Sequence, residues 1–134
     1  MDILFNRHKL LANRKALGQW SEKRSEKLLK RKGLKTLTRN FSCKTGELDL
    51  VMVDTDRTIV FVEVRSIARR EREPLSEPEE TVTYPKRRKL LRTAHYFLAA
   101  HKIDDRPFRF DIVAIVLGQK GRPQIRHYEN AFVL

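Results

Sequence analysis

The chain has 134 residues, a length that suits one domain with a hydrophobic core of its own. Hydrophobic residues make up 40% of the sequence, which excludes a disordered chain, and no apolar run is long enough to span a membrane. The net charge of +12 favours an acidic partner, and nucleic acid is the usual one. A basic surface that only keeps the protein soluble is the alternative.

The sequence also indicates a cellular compartment. Residues 1–15 lack the continuous apolar segment and the small-residue cleavage site of a signal peptide. Cys43 is the single cysteine, which excludes an internal disulfide and a cysteine metal cluster. We therefore expect a cytoplasmic protein without a membrane partner.

The first half of the chain predicts helical segments followed by three strands. Residues 3–17 have a helical pattern that Gly18 interrupts, and a helix over 19–32 ends at the glycine that follows it. Residues 35–41 are typical of a strand. The segments ELDLVMVD and TIVFVEV predict two further strands that are joined by a tight connection.

The second half predicts a loop, a helix and two strands. Residues 66–84 contain two prolines and many charges, and they predict a long solvated loop of the kind that is often functional or mobile. A helix over 85–102 follows, and then the strands FRFDIVAIVL and QIRHYEN. The order α-β-β-β-α-β-β indicates an α/β domain, a mixed sheet flanked by helices. We find no repeat or linker, so one domain over residues 1–134 is expected.

Two charged residues interrupt the apolar run IVFVEVRSI. Because strand side chains alternate, Glu63 and Arg65 share one face of the sheet. A three-residue connection between the second and third strands places Asp49 opposite Glu63 and Glu47 opposite Arg65. The Asp49 and Glu63 side chains would then lie about 5 Å apart at their Cβ atoms.

Two carboxylates at this distance repel each other unless a cation lies between them. Oxygen ligands without a nearby histidine favour Mg²⁺ or Mn²⁺ over Zn²⁺. The alternative is an internal salt network in which Arg65 neutralises Glu47 or Glu63, although such a network leaves three carboxylates against one arginine. The histidines show no metal-ligand spacing, and surface or packing roles are expected for His8, His95, His101 and His127.

The helix over 85–102 begins with a concentration of positive charge. Cations at a helix N-terminus oppose the helix dipole, whereas helix N-termini and arginines both attract phosphate groups. We therefore predict a nucleic-acid-binding surface formed by Lys86, Arg87, Arg88 and Lys89, with Arg39, Lys44 and Arg109 as lesser candidates. Little recognition of bases is expected, because no aromatic-rich stacking surface is evident.

The segment GELDLVMVDTDRTIVFVEVRS resembles the signature of the YraN-like family of bacterial proteins, which are regarded as endonucleases of the restriction-endonuclease-like PD-(D/E)xK superfamily. The segments GQWSEKRSEKLLKRKG, TRNF, VTYPKRRKLLRTAHYFL, RFDIV and ENAF match the family in order, so that the resemblance covers residues 18–132. It implies a restriction-endonuclease-like core. It also implies hydrolysis of DNA phosphodiesters with Mg²⁺ or Mn²⁺, with branched or recombination intermediates among the candidate substrates.

By position, the resemblance implies a metal site formed by Asp49, Glu63, Glu22 and the backbone carbonyl of Val64. Glu47 belongs to the family's GExD segment, and Lys86 matches the lysine that opens the second helix. With Arg65 included, the predicted catalytic residues are Asp49, Glu63, Glu22 and Arg65. A two-fold homodimer would suit junction-type substrates.

Two residues depart from the family's pattern. Arg65 replaces the catalytic lysine, and Ile67 replaces an arginine that usually follows it. Arginine can stabilise charge on a phosphate but stays protonated, so it cannot act as a base. Lys86 would compensate in part if it reaches the site. A non-catalytic nucleic-acid-binding module and a basic scaffold protein therefore remain as alternatives to a nuclease.

Overall fold

The structure is a computed structural model that describes residues 3–69 and 82–132. Within this part of the chain the elements are α1 (Ile3–Ala12), α2 (Arg14–Arg31), β1 (Lys35–Cys43), β2 (Gly46–Val53), β3 (Ile59–Ala68), α3 (Tyr84–Ala100), β4 (Phe108–Leu117) and β5 (Gln124–Tyr128). None of the described helices is both long and apolar enough to cross a membrane.

The helical N-terminal region is divided at Asn13. The Asn13 side chain accepts a hydrogen bond of 3.1 Å from the Ala16 amide, and this bond caps the start of α2. Gly18 lies inside α2, so the predicted interruption there is wrong, and α1 is added to the predicted order of elements. The predicted helix end is confirmed, because Gly33 follows α2 with a φ of +100°.

The five strands form one mixed sheet in the order β1-β2-β3-β4-β5. The strands β3 and β4 are parallel, whereas the other neighbouring pairs are antiparallel. A parallel pair requires a crossover connection, and α3 lies in that connection. The predicted mixed sheet with flanking helices is confirmed.

A hydrophobic cluster lies on each face of the sheet. Phe61 of β3 and Phe97 of α3 are almost fully buried in one cluster, and their ring centroids are 6.0 Å apart. Leu29 of α2 packs on the opposite face against Val60 and Leu50. Because both faces are covered, the strands are apolar on both sides, and a charged residue within them requires an explanation.

The connection between β3 and α3 is shorter than predicted. The strand β3 continues to Ala68, which pairs with Leu117 of β4, and α3 begins at Tyr84 with Thr83 as its N-cap. The end of β3 depends on pairing with β4, a contact between distant parts of the sequence that local residue preferences do not indicate. The rest of the predicted loop, residues 70–81, lies outside the described residues.

The predicted register of β2 and β3 is confirmed for part of their length. It holds for the four pairs from Leu50–Val62 to Val53–Ile59. The β2–β3 ladder ends there, while β2 remains paired with β1 and β3 remains paired with β4. The strands β2 and β3 therefore separate, and the ladder pairs predicted for Asp49 with Glu63 and for Glu47 with Arg65 are not formed.

An irregularity in β2 accompanies the separation. Leu48 and Val51 both pack into the cluster on the α3 side, whereas strict alternation would place them on opposite faces. In the neighbouring strand, Asn40 has a φ of +52° and lies between the residues that pair with Leu48 and Leu50. The backbone of both strands is thus distorted beside Asp49.

Candidate active site

The separation of β2 from β3 opens a cavity that contains both predicted carboxylates. The cavity has a volume of about 410 Å³, and Asp49 and Glu63 line it together with Lys86 and Lys89 of α3. The other lining residues are Ser42, Cys43, Gly46, Glu47, Leu90 and Thr93. The structure therefore brings acidic residues from two strands and basic residues from a helix to one place.

The Glu63 carboxylate lies between two cationic side chains. Its Oε1 atom is 2.8 Å from Nζ of Lys86 and 3.8 Å from Nη1 of Arg65. The Glu63 side chain is only 12% exposed, so solvent screens these interactions weakly. Lys86 reaches this carboxylate because it lies in the first turn of α3, where Thr83 caps the helix.

Asp49 has a strongly altered acidity. Burial raises its pKa to about 7, and the negative charges of Glu63 and Glu22 act in the same direction. A hydrogen bond of 2.9 Å from the Val64 amide to Oδ2, together with the charge of Lys86, lowers the pKa in part. The Val64 amide and Lys86 therefore do not offset the burial of Asp49, and a cation bound beside this carboxylate would favour its ionised form.

Glu22 lies close to this pair but in a neighbouring cavity of about 290 Å³, which Asp49 also lines. Burial raises the pKa of Glu22, and the charges of Glu47 and Glu63 raise it further. Across residues 3–69 and 82–132, however, no three Asp, Glu, His or Cys side chains form a group that could hold a metal ion. Glu22 is therefore near the two carboxylates without joining them in one ligand cluster.

The donor chemistry of Asp49 and Glu63 fits Mg²⁺ or Mn²⁺. Mg²⁺ is commonly held by one or two carboxylates and keeps several of its waters. The described lining residues of the larger cavity include no histidine, the ligand that Zn²⁺ would favour. Val64 contributes its amide to Asp49, and Glu47 is exposed at the rim of the cavity.

The predicted nucleic-acid contacts on α3 have different surroundings. Lys86 and Lys89 line the cavity, and Arg88 is exposed. Arg87 instead contacts the protein, because its Nε donates to the Val82 carbonyl at 2.9 Å and its guanidinium lies 5.3 Å from the centre of the Phe132 ring. Packing therefore accounts for at least part of the role of Arg87.

The other predicted contacts lie outside α3. Lys44 is exposed in the turn between β1 and β2. Arg39 is half-exposed and forms an ion pair of 2.7 Å with Glu26, which lines the smaller cavity. Arg39 is therefore available at the surface but already has an anionic partner.

A buried polar cluster was not anticipated from the sequence. Asp111 of β4 is fully buried and accepts hydrogen bonds from Nε2 of His127 at 2.7 Å and from the Asn130 amide at 2.9 Å. Arg109 also donates to Asp111 and forms a further ion pair with Asp54, so its guanidinium binds within the protein. The expected packing role of His127 agrees with this arrangement. The sequence feature that could have indicated Asp111 is the one that indicated Glu63, an acidic residue within an apolar strand.

The fold and the cavity together define a mixed α/β protein with two carboxylates and a lysine at the point where two strands separate. The family model described as "Uncharacterised protein family UPF0102" matches residues 21–115, and the chain belongs to this family. The predicted YraN-like membership is thereby confirmed.

Several relatives are similar over most of their length. A UPF0102 protein of Ralstonia nicotianae is 42% identical over 100 residues, which are 75% of this chain and 77% of the relative. A UPF0102 protein of Clostridium acetobutylicum is 39% identical over 90% of this chain and 95% of its own length. A third, from Geotalea uraniireducens, is 38% identical over 92% of this chain and 94% of its own.

Proposed function

We propose that this protein is a metal-dependent nuclease with the core of the restriction-endonuclease-like PD-(D/E)xK superfamily, and that it hydrolyses phosphodiester bonds of DNA. The observation that carries the proposal is the meeting of Asp49, Glu63 and Lys86 in one cavity where β2 and β3 separate. The net charge of +12 supports a polyanionic substrate. If junctions are cleaved, a two-fold dimer would present one site to each of two strands.

Asp49 and Glu63 would hold Mg²⁺ or Mn²⁺, with Glu22 and the Val64 carbonyl as the further ligands that the superfamily resemblance implies. When bound, the ion supplies Lewis-acid polarisation of a phosphate oxygen and lowers the pKa of water. The pKa of Asp49, raised to about 7, supports this assignment because a divalent cation would favour the ionised carboxylate.

Lys86 would take the role of the lysine that Arg65 replaces. Its Nζ is 2.8 Å from Glu63, so the ammonium group lies beside the carboxylate at which the attacking water would be positioned. Arg65 lies 3.8 Å from the same carboxylate and would stabilise the charge that develops on the phosphate. The two functions of the missing lysine would then be divided between two side chains.

The proposal is tested by cleavage of plasmid, single-stranded and junction DNA with Mg²⁺, with Mn²⁺ or with EDTA. We expect metal-dependent cleavage that Glu63→Gln abolishes and that Lys86→Met lowers roughly 100-fold, a loss typical of removing one positioned charge from a transition state. Asp104→Asn, which changes an exposed carboxylate after α3, is the control and should retain full activity. Undiminished cleavage by the Glu63→Gln variant would contradict the proposal.

A non-catalytic nucleic-acid-binding module is the second candidate, and Arg65 is the observation that favours it. If the arginine limits turnover, Arg65→Lys should raise the cleavage rate, and no gain would count against this interpretation. DNA binding without cleavage in every condition would favour the binding module. If both binding and cleavage are absent and Glu63→Gln unfolds more easily than the wild type, a basic scaffold with structural charges is favoured.

A further inference from the structure

Two tyrosines and two arginines form a stripe along the exposed side of α3. They recur at every fourth position, a spacing that places side chains next to one another on a helix. We call this set the aromatic–arginine stripe, and its members are Tyr84, Arg88, Arg92 and Tyr96. Tyr84 is 64% exposed and Tyr96 is 53% exposed, and both arginines are exposed. Among the described residues, the one other exposed large hydrophobic side chain is Leu37 of β1.

Packing does not explain this exposure. The helix already buries a separate face, formed by Leu90, Thr93, Ala94 and Phe97, against the sheet. The stripe lies away from that face and leaves aromatic surface in water. The guanidinium of Arg88 lies 6.0 Å from the centre of the Tyr84 ring, within the range of a cation–π contact. No aromatic stacking surface was expected from the sequence, whereas α3 exposes two tyrosine rings. Exposed aromatic rings alternating with arginines are typical of surfaces that bind single-stranded nucleic acid.

The stripe approaches the proposed active site at its Tyr96 end. Lys89 and Thr93 line the larger cavity and precede Tyr96 by seven and three residues, spacings that place them next to it on the helix. The Tyr96 ring also lies 6.2 Å from the ring of Phe41, just before the β1 residues that line the cavity. From Tyr84 to Tyr96 the helix rises about 18 Å, which is roughly five stacked nucleotides at about 3.4 Å each.

We infer that the aromatic–arginine stripe binds single-stranded DNA beside the cavity, an inference that rests on the proposed function and narrows its substrate class. Bases would stack on Tyr84 and Tyr96, while Arg88 and Arg92 contact the phosphates. A single strand fits this chemistry better than a duplex does, because paired bases are already stacked and do not expose their faces to side chains. The substrate is then DNA with a single-stranded segment, such as a flap or a gap.

The test measures binding in EDTA, so that its outcome does not depend on cleavage. Fluorescence anisotropy would compare a labelled single-stranded thymidine oligonucleotide, an abasic oligonucleotide of the same length and a duplex of the same length. We expect Tyr96→Ala and Tyr84→Ala each to weaken binding of the thymidine oligonucleotide by roughly tenfold. The abasic strand and the duplex should change little, because their contacts with the protein are mainly electrostatic.

Three controls separate stacking from other effects. Tyr96→Phe keeps the ring and should bind like the wild type, and Leu37→Ala removes exposed apolar surface elsewhere and should have no effect. Arg92→Ala should lower the salt slope of binding by about one, whereas the tyrosine variants should leave it unchanged. Circular dichroism would confirm that each variant is folded.

Unchanged binding of the thymidine oligonucleotide by both tyrosine variants would overturn the inference, as would an equal loss on the abasic strand and the duplex. Failure of the wild type to bind the thymidine oligonucleotide would also overturn it. Failure of the nuclease proposal is a separate result, since a protein that cleaves nothing can still show the expected binding pattern.

Discussion

Among single residues, Asp49 experiences the strongest conflict between burial and charge in the proposed active site. It is recessed between two cavities, with Glu63 in one and Glu22 in the other. The Val64 amide and Lys86 compensate its charge only in part, so its pKa is raised to about 7. This position affects stability in the absence of metal and would affect ion binding in its presence.

The raised pKa gives the metal-free protein a defined pH dependence. The folded protein binds this proton up to about pH 7, whereas an unfolded chain releases it near the ordinary value of 3.8. The contribution to stability is therefore complete below that ordinary value and is lost as the pH rises through about 7. Asp49→Asn stays neutral and can still accept the Val64 hydrogen bond, so it should remove this loss.

We expect Asp49→Asn to unfold at a higher temperature than the wild type at about pH 8 in EDTA, with the advantage shrinking toward about pH 4. Thermal unfolding followed by circular dichroism measures the unfolding temperatures of the wild type and the variant at each pH. Adding Mn²⁺ at about pH 8 should stabilise the wild type and leave the variant nearly unchanged. Equal unfolding temperatures at the higher pH would show that the conflict at Asp49 is absent.

The second buried carboxylate has the opposite electrostatic environment. Burial alone would raise the pKa of Asp111, but hydrogen bonds from His127, Arg109 and the Asn130 amide more than offset this and lower it. Removing the carboxylate would leave the largely buried imidazole of His127 without the acceptor of its Nε2–H. A partly satisfied buried network is unfavourable, so Asp111 should be critical for stability.

We expect Asp111→Ala to lower the free energy of unfolding by about 3 kcal/mol or more, as measured by urea denaturation near neutral pH. The exposed Asp104→Ala should change it by less than about 0.5 kcal/mol. Because the pKa of Asp111 is lowered, its contribution is present above the ordinary value of 3.8 and is lost as the pH falls below that value. A small penalty near neutral pH would contradict the structural role of the cluster.

Among the elements, α2 and α3 each combine a packing role with a chemical one. The helix α2 buries Leu29 against the sheet and brings Glu22 beside Asp49. The helix α3 buries Phe97, places Lys86 on Glu63 and presents Tyr96 to solvent. Glu22 lies seven residues before Leu29 and Lys86 lies four residues before the buried Leu90, so each shares the buried side of its helix. Only Tyr96 lies on a separate, exposed side, where a change should have limited effect on the core.

Two glycines in and after α2 provide a matched pair of variants. Gly18 lies within the helix and has free space around the position of an added Cβ atom, so Gly18→Ala should stabilise the protein by about 0.5–1 kcal/mol. Gly33 has a φ of +100° and an added Cβ would lie 3.2 Å from Cγ2 of Thr55. Gly33→Ala should therefore destabilise it by about 1 kcal/mol or more. Urea unfolding measures the stability of both variants. Destabilisation by Gly18→Ala together with stabilisation by Gly33→Ala would contradict the assigned helix end.

The sequence predicted the elements that have strong local patterns. The apolar run of β4 predicted the same residues, 108–117, that form the strand in the structure. The break at Asn13 was missed because Gly18 is the stronger local helix breaker, whereas the side-chain cap of Asn13 decides the boundary. The sequence could not predict whether Lys86 reaches the site, because its contact with Glu63 depends on how α3 crosses the sheet.

Across the whole molecule, the separation of β2 and β3 creates the site. A regular ladder would have set Asp49 directly opposite Glu63, and that register was predicted from the alternation of side chains. The irregularity that moves Leu48 to the same face as Val51 has no recognisable sequence pattern. The sequence thus predicted which carboxylates matter, while the opening of the cavity between them depends on the folded sheet.

The positive charge of the molecule is consistent with DNA binding at the aromatic–arginine stripe and the cavity beside it. The chain carries a net charge of +12, and α3 adds exposed arginines beside a cavity that contains lysines. DNA would be attracted by this field over a distance set by the salt concentration. The stacking proposed for the tyrosines would then distinguish a single strand from a duplex.

The most direct test of the central claim is a crystal structure of the protein with Mn²⁺, measured at a wavelength at which manganese scatters anomalously. The account predicts an anomalous peak in contact with the carboxylates of Asp49 and Glu63, and its loss in the Glu63→Gln variant. A peak at another position, or metal-dependent cleavage by a protein in which these two carboxylates bind no Mn²⁺, would contradict it.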